Sequence, residues 1–324
     1  MKNSRKRIFI TGIAGFIGFH LAKALIARGD QVFGCDNFND YYSPALKKER
    51  ARLLTQAGIP ITTCDICDPI LATLIEKQEP THLVHLAAQA GVRMSLKAPE
   101  KYQEANGNGF FRILEILRQN PSIKCTFASS SSVYGLNKKI PFSENDTTDH
   151  PANFYGATKK CNEAMAFAYH NLYGISMTAL RYFTVYGPFG RPDMAYYDFT
   201  KAIEEEQTIK LFNSGNMQRD FTYIDDIVTG TIAAMDLEAD YEIFNLGNNH
   251  PEELHTLISL IESHLGKKAR IENLPMPPGE IQITYADITK AKEKLNWEPT
   301  TTLQEGMAKF LFWYDKQGAL SLKR

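Results

Sequence analysis

A glycine-rich turn, Gly12-Ile13-Ala14-Gly15-Phe16-Ile17-Gly18, separates the apolar run Arg7–Thr11 from a second apolar stretch that ends near Gly29. G-x-x-G-x-x-G between a strand and a helix leaves few folds open. The first glycines permit a tight turn and the close approach of a pyrophosphate, and the third lets the helix pack on the strand. Phosphates would then meet the free N–H groups of the helix N-terminus. Gln31-Val32-Phe33-Gly34-Cys35-Asp36 reads as the next strand. Asp36 falls roughly 20 residues after the glycine turn, where a carboxylate accepts bonds from an adenosine ribose. No arginine follows it immediately, so the spacing predicts NAD rather than NADP.

Strands and helices keep alternating. Ile61–Ile66 and His82–Ala88 read as the third and fourth strands, a helix is expected around Tyr102–Arg118, and Lys124–Ala128 and Ser176–Phe183 read as the fifth and sixth strands. The expected fold is therefore α/β, a doubly wound Rossmann-type parallel sheet. Ligands of such sheets lie at the carboxyl ends of the strands. Asp65 ends the third strand there, and the small residues Ala87 and Ala88 suit close approach of a cofactor. Past residue 184 the alternation breaks, which predicts a smaller mixed α/β lobe. We expect a cofactor domain at 1–184, rejoined by 220–248 through Phe244-Asn245-Leu246-Gly247. Residues 185–219 and 249–324 are expected to form the substrate lobe.

The alternation also decides what composition can exclude. Net charge is −1, which argues against a nucleic-acid protein held by bulk charge. No apolar run approaches the roughly 18 residues needed to span a bilayer. The basic start, Lys2 to Arg7, leads into an apolar run that stops at Gly12, unlike a signal peptide, so a cytoplasmic protein is expected. Five cysteines, an odd number, suggest reduced thiols. Cys64-Asp65-Ile66-Cys67 lacks the second pair or spaced histidines of a metal site, so no metal is expected. His82 and His85 are expected to pack against strand neighbours.

Tyr155 and Lys159, in Asn153-Phe154-Tyr155-Gly156-Ala157-Thr158-Lys159-Lys160, are spaced to share one helix face. A phenol of ordinary pKa near ~10 is a poor base at neutral pH. A nearby ammonium would lower that pKa, so the pair predicts an acid/base for a hydroxyl or carbonyl.

With these motifs in order, the chain resembles the extended short-chain dehydrogenase/reductases that act on nucleotide sugars. Gly12, Gly15 and Gly18 match the family's cofactor loop, and Tyr155 and Lys159 match its Tyr-x-x-x-Lys. Ser130, before Val133-Tyr134-Gly135, matches its catalytic Ser/Thr, and Arg219-Asp220-Phe221-Thr222-Tyr223-Ile224-Asp225-Asp226-Ile227 matches a later block. Three longer stretches narrow the resemblance to the branch that interconverts UDP-glucuronate and UDP-galacturonate. They are Asp36 to Tyr42, Ala88 to Arg93, and Arg181 to Ala195. Phe189 stands where the branch usually has Trp, and Glu280 where it usually has Asp.

The resemblance implies tightly held NAD, with Gly12, Gly15, Phe16, Ile17, Gly18, Asp36, Asn37, Asp65, Ile66, Leu86, Ala87, Ala88 and Gln89 around it together with Tyr155 and Lys159. Catalysis is implied for Tyr155, Lys159 and Ser130. It implies that Arg191 and Arg219 hold the UDP part, that Glu280 meets the uridine ribose, and that Ser129, Ser131 and Thr184 meet the sugar carboxylate; Arg93 is expected to face either ligand. Other UDP-sugar 4-epimerases, UDP-glucuronate decarboxylases and a non-catalytic NAD sensor are the alternatives. The related 4,6-dehydratases carry Asp-Glu where Ser131-Ser132 stand, and the decarboxylases carry Glu at Ser132; two serines cannot supply an acid and a base. A homodimer is implied, with Phe110-Phe111 and Ala164 to Ala168 as the expected face.

Overall fold

The computed structural model describes residues 5–276 and 281–317. In chain order its strands are β1 Arg7–Thr11, β2 Gln31–Asp36, β3 Ile61–Thr63, β4 His82–His85, β5 Lys124–Ser130, β6 Met177–Tyr182, β7 Thr184–Tyr186, β8 Thr208–Phe212, β9 Gln218–Tyr223, β10 Tyr241–Leu246, β11 Pro251–Glu253, β12 Arg270–Leu274 and β13 Ile283–Thr284. The helices are α1 Phe16–Arg28, α2 Pro44–Gln56, α3 Ile70–Gln78, α4 Val92–Ser95, α5 Pro99–Tyr102, α6 Gly109–Gln119, α7 Phe154–Tyr173, α8 Ala195–Glu204, α9 Ile224–Leu237, α10 Leu254–Leu265, α11 Thr289–Leu295 and α12 Leu303–Gln317.

Seven strands form one sheet in the order β10-β6-β5-β4-β1-β2-β3, and every neighbouring pair is parallel. Strand order reverses between β1 and β4, so a crevice opens over their carboxyl ends. One apolar layer joins α3, α6 and α7 to one face through Leu71, Ile75, Ile113, Leu117 and Ala166. The other joins α1 and α9 to the opposite face and continues into the smaller lobe through Tyr186, Tyr196, Phe221 and Phe310. Burying both faces is what lets the central strands be nearly continuous apolar runs.

The smaller lobe holds a sheet of β11, β9 and β13 with β7 paired to β9, and a two-stranded sheet of β12 and β8. β10 lies in the large sheet, but β9 lies in the small one. The return to the large sheet therefore begins at Ile224, not at residue 220.

Three elements differ from expectation. β3 stops at Thr63, because Asp65 turns the chain by accepting the Cys67 N–H at 2.8 Å. β4 stops at His85, where the chain opens towards the crevice. The expected helix at 102–118 widens into π turns over Gln103–Asn108. The Asn106 side chain bonds both backbone groups of Gln89, and its carbonyl accepts the Asn162 amide at 2.7 Å. A π turn frees a carbonyl from the helix ladder for such work.

Phe110 is 1% exposed and belongs to the core, so it cannot form part of a dimer face; Phe111 and Phe167 are the exposed ones, at 49% and 55%. No helix among the described residues is long and apolar enough to cross a membrane.

Candidate active site

A cleft of about 840 Å³ runs over the carboxyl ends of the large sheet and is closed on its far side by the smaller lobe. Its first wall is the glycine turn. α1 begins at Phe16 with Gly15 as N-cap and no side-chain cap. The N–H groups of Phe16, Ile17 and Gly18 have no intrahelical acceptor, and all three residues line the cleft. Gly12 has a φ of 72°, and a Cβ there would come within 2.7 Å of the Ala87 nitrogen; one on Gly18 would strike the Gly12 carbonyl. Leu86, Ala87, Ala88 and Gln89 thus face the turn across the switch point, and all four line the cleft.

Asp36 ends β2 and accepts the Phe38 N–H at 2.9 Å and the Ala14 N–H at 3.1 Å. Burial pushes its carboxyl above the usual range, resisted by the Phe38 bond and the Lys47 charge. Asn37 donates to Asp65 at 2.7 Å, and Ile66 lines the cleft beside them. An uncapped helix end, a turn too tight for side chains and a fixed carboxylate after the second strand fit a dinucleotide. Lys47 and Arg50 of α2 surround this corner and carry no sequence motif; their spacing of three on one helix was the available signal.

The second wall carries the reactive groups. Asn153 caps α7 by accepting the Gly156 N–H at 2.8 Å, which places Tyr155 and Lys159 on successive turns facing β5. The Ser130 oxygen accepts the Ser132 N–H at 3.2 Å. Burial raises the Tyr155 phenol above its ordinary value, while the Ser130 hydroxyl and the Arg191 charge pull it down. The sequence predicts that Lys159 depresses this phenol; here burial prevails and raises it. Lys159 is itself pushed down to about 8 by burial, with Glu163 opposing, and its ammonium donates to the Ala128 carbonyl at 2.7 Å. His85 is buried and bonds Thr11 at 2.8 Å, and His82 bonds Thr81 at 2.9 Å, each packed among strand neighbours.

Ser129 corrects one expectation. Side chains alternate along a strand, so Ser129 points away from Ser130, and its hydroxyl donates to Glu163 at 2.6 Å. That carboxylate also takes two bonds of 2.8 Å from Arg181. The pair, 2% exposed on both sides, was missed from sequence although Glu163 lies one helical turn beyond Lys159. Ser129 therefore presents its backbone, not its hydroxyl, to the cleft.

Ser131 and Ser132 form a short 3₁₀ turn after Ser130 and line the cleft with Thr184, the first residue of β7. Arg191 lies beyond β7 and pairs with Asp193 through bonds of 3.1 and 2.6 Å. Arg219, on β9, donates to the carbonyls of Gln218 and Gln282 at 3.0 Å. The Arg93 guanidinium lies 4.6 Å from the Phe212 ring centroid, so it faces the smaller lobe. Glu280 lies outside the described residues. All the other expected site residues line this one cleft. Among the described residues, no group of three or more His, Cys, Asp or Glu could hold a metal ion.

Comparison with known proteins narrows what such a cleft does. The sequence profile of the GDP-mannose 4,6 dehydratase family matches residues 9–310. The chain is 47% identical to UDP-glucuronate 4-epimerase 4 of Arabidopsis thaliana, over 96% of this chain and 76% of that protein. It is 46% identical to UDP-glucuronate 4-epimerase 3 of the same plant, over 95% and 76%. Its fold is similar to the crystal structure of the UDP-glucuronic acid 4-epimerase from Bacillus cereus in complex with UDP-glucuronic acid and NAD. The TM-score is 0.90 at 35% identity, covering 95% of this chain and 99% of that one.

Proposed function

The chain belongs to the GDP-mannose 4,6 dehydratase family, within the extended short-chain dehydrogenase/reductases, and on that premise we propose that it is an NAD-dependent isomerase that epimerises UDP-glucuronate at C4 to UDP-galacturonate. The family's name does not give the reaction, since one fold serves many. The observation that carries the reading is Ser131-Ser132 beside Ser130 and Tyr155 in a cleft with a dinucleotide wall. A dehydratase must remove water and needs an acid and a base at that turn; two hydroxyls supply neither. The relatives named above carry the choice of a uronate substrate.

The residues present divide the work. Phe16, Ile17 and Gly18 would hold the cofactor phosphates, Asp36 the adenosine ribose, Asp65 and Ile66 the adenine, and Lys159 the nicotinamide ribose. NAD supplies the hydride acceptor and donor at C4. Tyr155, whose buried phenol would be ionised with the help of the Lys159 ammonium and the positive charge that bound NAD would bring, takes the proton from the sugar O4 hydroxyl and later returns it. Ser130 bonds O4 and stabilises charge developing there. Between the two transfers the 4-keto sugar must present its other face, so the nucleotide is held firmly and the sugar loosely.

We assign the diphosphate to Arg191 and Arg219, whose guanidinium forks suit phosphate oxygens. Ser131 and Thr184 take the sugar carboxylate, and Arg93, set over the Phe212 ring, lines the cleft on the side of the smaller lobe. The 4-keto intermediate is a β-keto acid, so holding its carboxylate also guards against loss of CO₂. On this reading the cofactor occupies 1–184 with 224–248, and the nucleotide sugar is bound from 185–223 and 249–324.

The test is the product formed from UDP-glucuronate by purified protein with no added reductant, resolved by chromatography and proton NMR. UDP-galacturonate accumulating to an equilibrium mixture without net NADH is the expected result. A UDP-pentose with released CO₂ would make the enzyme a decarboxylase and overturn the reading. Turnover of UDP-glucose alone would keep the acid/base groups and discard the carboxylate site.

We also propose a homodimer through α6 and α7, which leave Phe111, Phe167 and Leu172 exposed. Large exposed apolar side chains on two neighbouring helices fit an interaction face. Sedimentation equilibrium should give twice the 36.6 kDa chain mass, and a single-chain mass would refute the pairing.

A further inference from the structure

Two stretches on opposite sides of the cleft, Asp36 to Tyr42 and Gly187 to Asp193, meet across it. Arg50 of α2, 0% exposed, holds the second stretch from behind. Its guanidinium donates to the Phe189 carbonyl at 3.1 and 2.5 Å, to the Gly190 carbonyl at 3.2 Å and to the Tyr42 hydroxyl at 2.7 Å. His20 of α1 bonds the Pro188 carbonyl at 2.9 Å. These bonds fasten the backbone of the arm to the cofactor wall. They leave its tip, where Arg191 projects, to be set by side chains.

The tip is set by Tyr41. Its hydroxyl donates to Asp193 Oδ2 at 3.0 Å. Asp193 in turn accepts Arg191 Nε at 3.1 Å on Oδ1 and Nη2 at 2.6 Å on Oδ2. The Arg191 guanidinium lies 5.6 Å from the centroid of the Tyr41 ring. The fork is therefore gripped along one edge and flanked on one face. Gly91, with a φ of +94°, stands beneath this contact, and a Cβ there would run into the Tyr41 hydroxyl. The loop after β4 thus leaves room for that phenol and little more. Burial works against the Asp193 charge, and Arg191 with Tyr41 overcomes it, so the carboxyl stays below its usual range.

A free arginine side chain loses much rotamer freedom when it captures an anion. A guanidinium already held on one edge avoids that loss and offers its remaining donors at once. We propose that Tyr41 is a positioning residue for Arg191, acting through Asp193, and that the anionic diphosphate of the nucleotide sugar is what the arrangement serves. The inference rests on the assignment of Arg191 to the diphosphate. It gives work to the aromatic end of the Asp36–Tyr42 stretch, which the proton and hydride chemistry does not use.

A double-mutant cycle on the NAD-loaded protein tests it, with UDP as the probe and calorimetry as the readout. Tyr41→Phe keeps the ring and removes the hydroxyl. It should weaken UDP about fivefold, since only part of what one hydrogen bond to a charged group contributes is passed on through Asp193 and Arg191 to the ligand. KM for UDP-glucuronate should rise with it, kcat should move less than KM, and NAD content should stay at the wild-type level. In an Arg191→Ala background the same change should have no further effect. If Arg191→Ala gives no folded protein, Arg191→Gln takes its place. An equal fivefold loss with and without Arg191 would overturn the proposal. So would loss of NAD from Tyr41→Phe with UDP binding intact, because the stretch would then serve the cofactor. UDP binding is read without turnover, so a protein that binds UDP but leaves UDP-glucuronate unchanged would fault the substrate reading and still let the cycle decide on Tyr41.

Discussion

Tyr155→Phe is expected to lower kcat for the interconversion of UDP-glucuronate and UDP-galacturonate by about a thousandfold, within the span of ~10² to 10⁴ that a positioned acid/base contributes. The substitution removes one oxygen and leaves the ring. That ring packs edge-on to Tyr102, centroids 6.1 Å apart, so fold and NAD retention should survive. Ser130 remains but cannot take the O4 proton at a useful rate, since a hydroxyl without a base is weak. The rate should also depend on Lys159. Its ammonium, pushed down to about 8 by burial, is present below that pH and lost as pH rises through it. The wild-type rate should therefore fall on the alkaline side of about pH 8. Initial rates from pH 6 to 10, followed by chromatography, check both statements. A loss below tenfold for the Phe variant would remove Tyr155 from the proton transfer.

Much of this site was legible because its chemistry is spaced locally. The glycine turn, Asp36 and the Tyr155–Lys159 pair sit at strand ends or one helical turn apart, so period and spacing nominated them, while Ser130 was nominated by the family resemblance. What sequence could not give was direction. Ser129 and Ser131 stand on either side of Ser130, yet Ser129 turns to Glu163 while Ser131 faces the cleft. Strand alternation decides that, and the strand's end is not visible in a run of four serines. Tyr41 and Asp193 are 152 positions apart, and nothing local joins them until the two walls close. The π turn at Gln103–Asn108 is equally silent in sequence, because it exists to satisfy Gln89 and Asn162, which come from other elements. The start of the return to the large sheet is silent for a related reason: β9 pairs with β7, β11 and β13, which come from other parts of the chain, and nothing local in Gln218–Tyr223 announces that pairing.

Asp220→Asn should be the most damaging change to stability that leaves the cleft's reactive groups untouched. Asp220 is 0% exposed and sits next to Arg219 on β9. Its Oδ2 accepts the Ala286 N–H at 2.9 Å and the Asn249 N–H at 3.1 Å. Its Oδ1 accepts the Thr222 hydroxyl at 2.9 Å and the Asn248 N–H. One carboxylate thus ties β9 to the loop after β10 and to the chain before α11, and the smaller lobe closes through it. An amide of the same shape has one acceptor where the carboxylate has two. Turned towards Ala286 and Asn249, its NH₂ strands two buried N–H donors; turned towards Thr222 and Asn248, it strands the Asn248 N–H, because the Thr222 hydroxyl can accept instead. At ~1–3 kcal/mol for each unsatisfied group, a loss of about 3 kcal/mol is expected, a large part of the ~5–15 kcal/mol that holds a domain together. The melting temperature should fall by roughly 6–12 °C, taking ~2–4 °C per kcal/mol for a large domain. The same loosening reaches Arg219, so KM for the nucleotide sugar should rise while the Tyr155-dependent step, measured at saturating substrate, changes little. Calorimetric melting together with KM and kcat decides it. A variant that melts within 2 °C of the wild type would show that Asp220 is replaceable, and that the lobe is closed by its aromatic packing around Tyr186, Tyr196 and Phe310 instead.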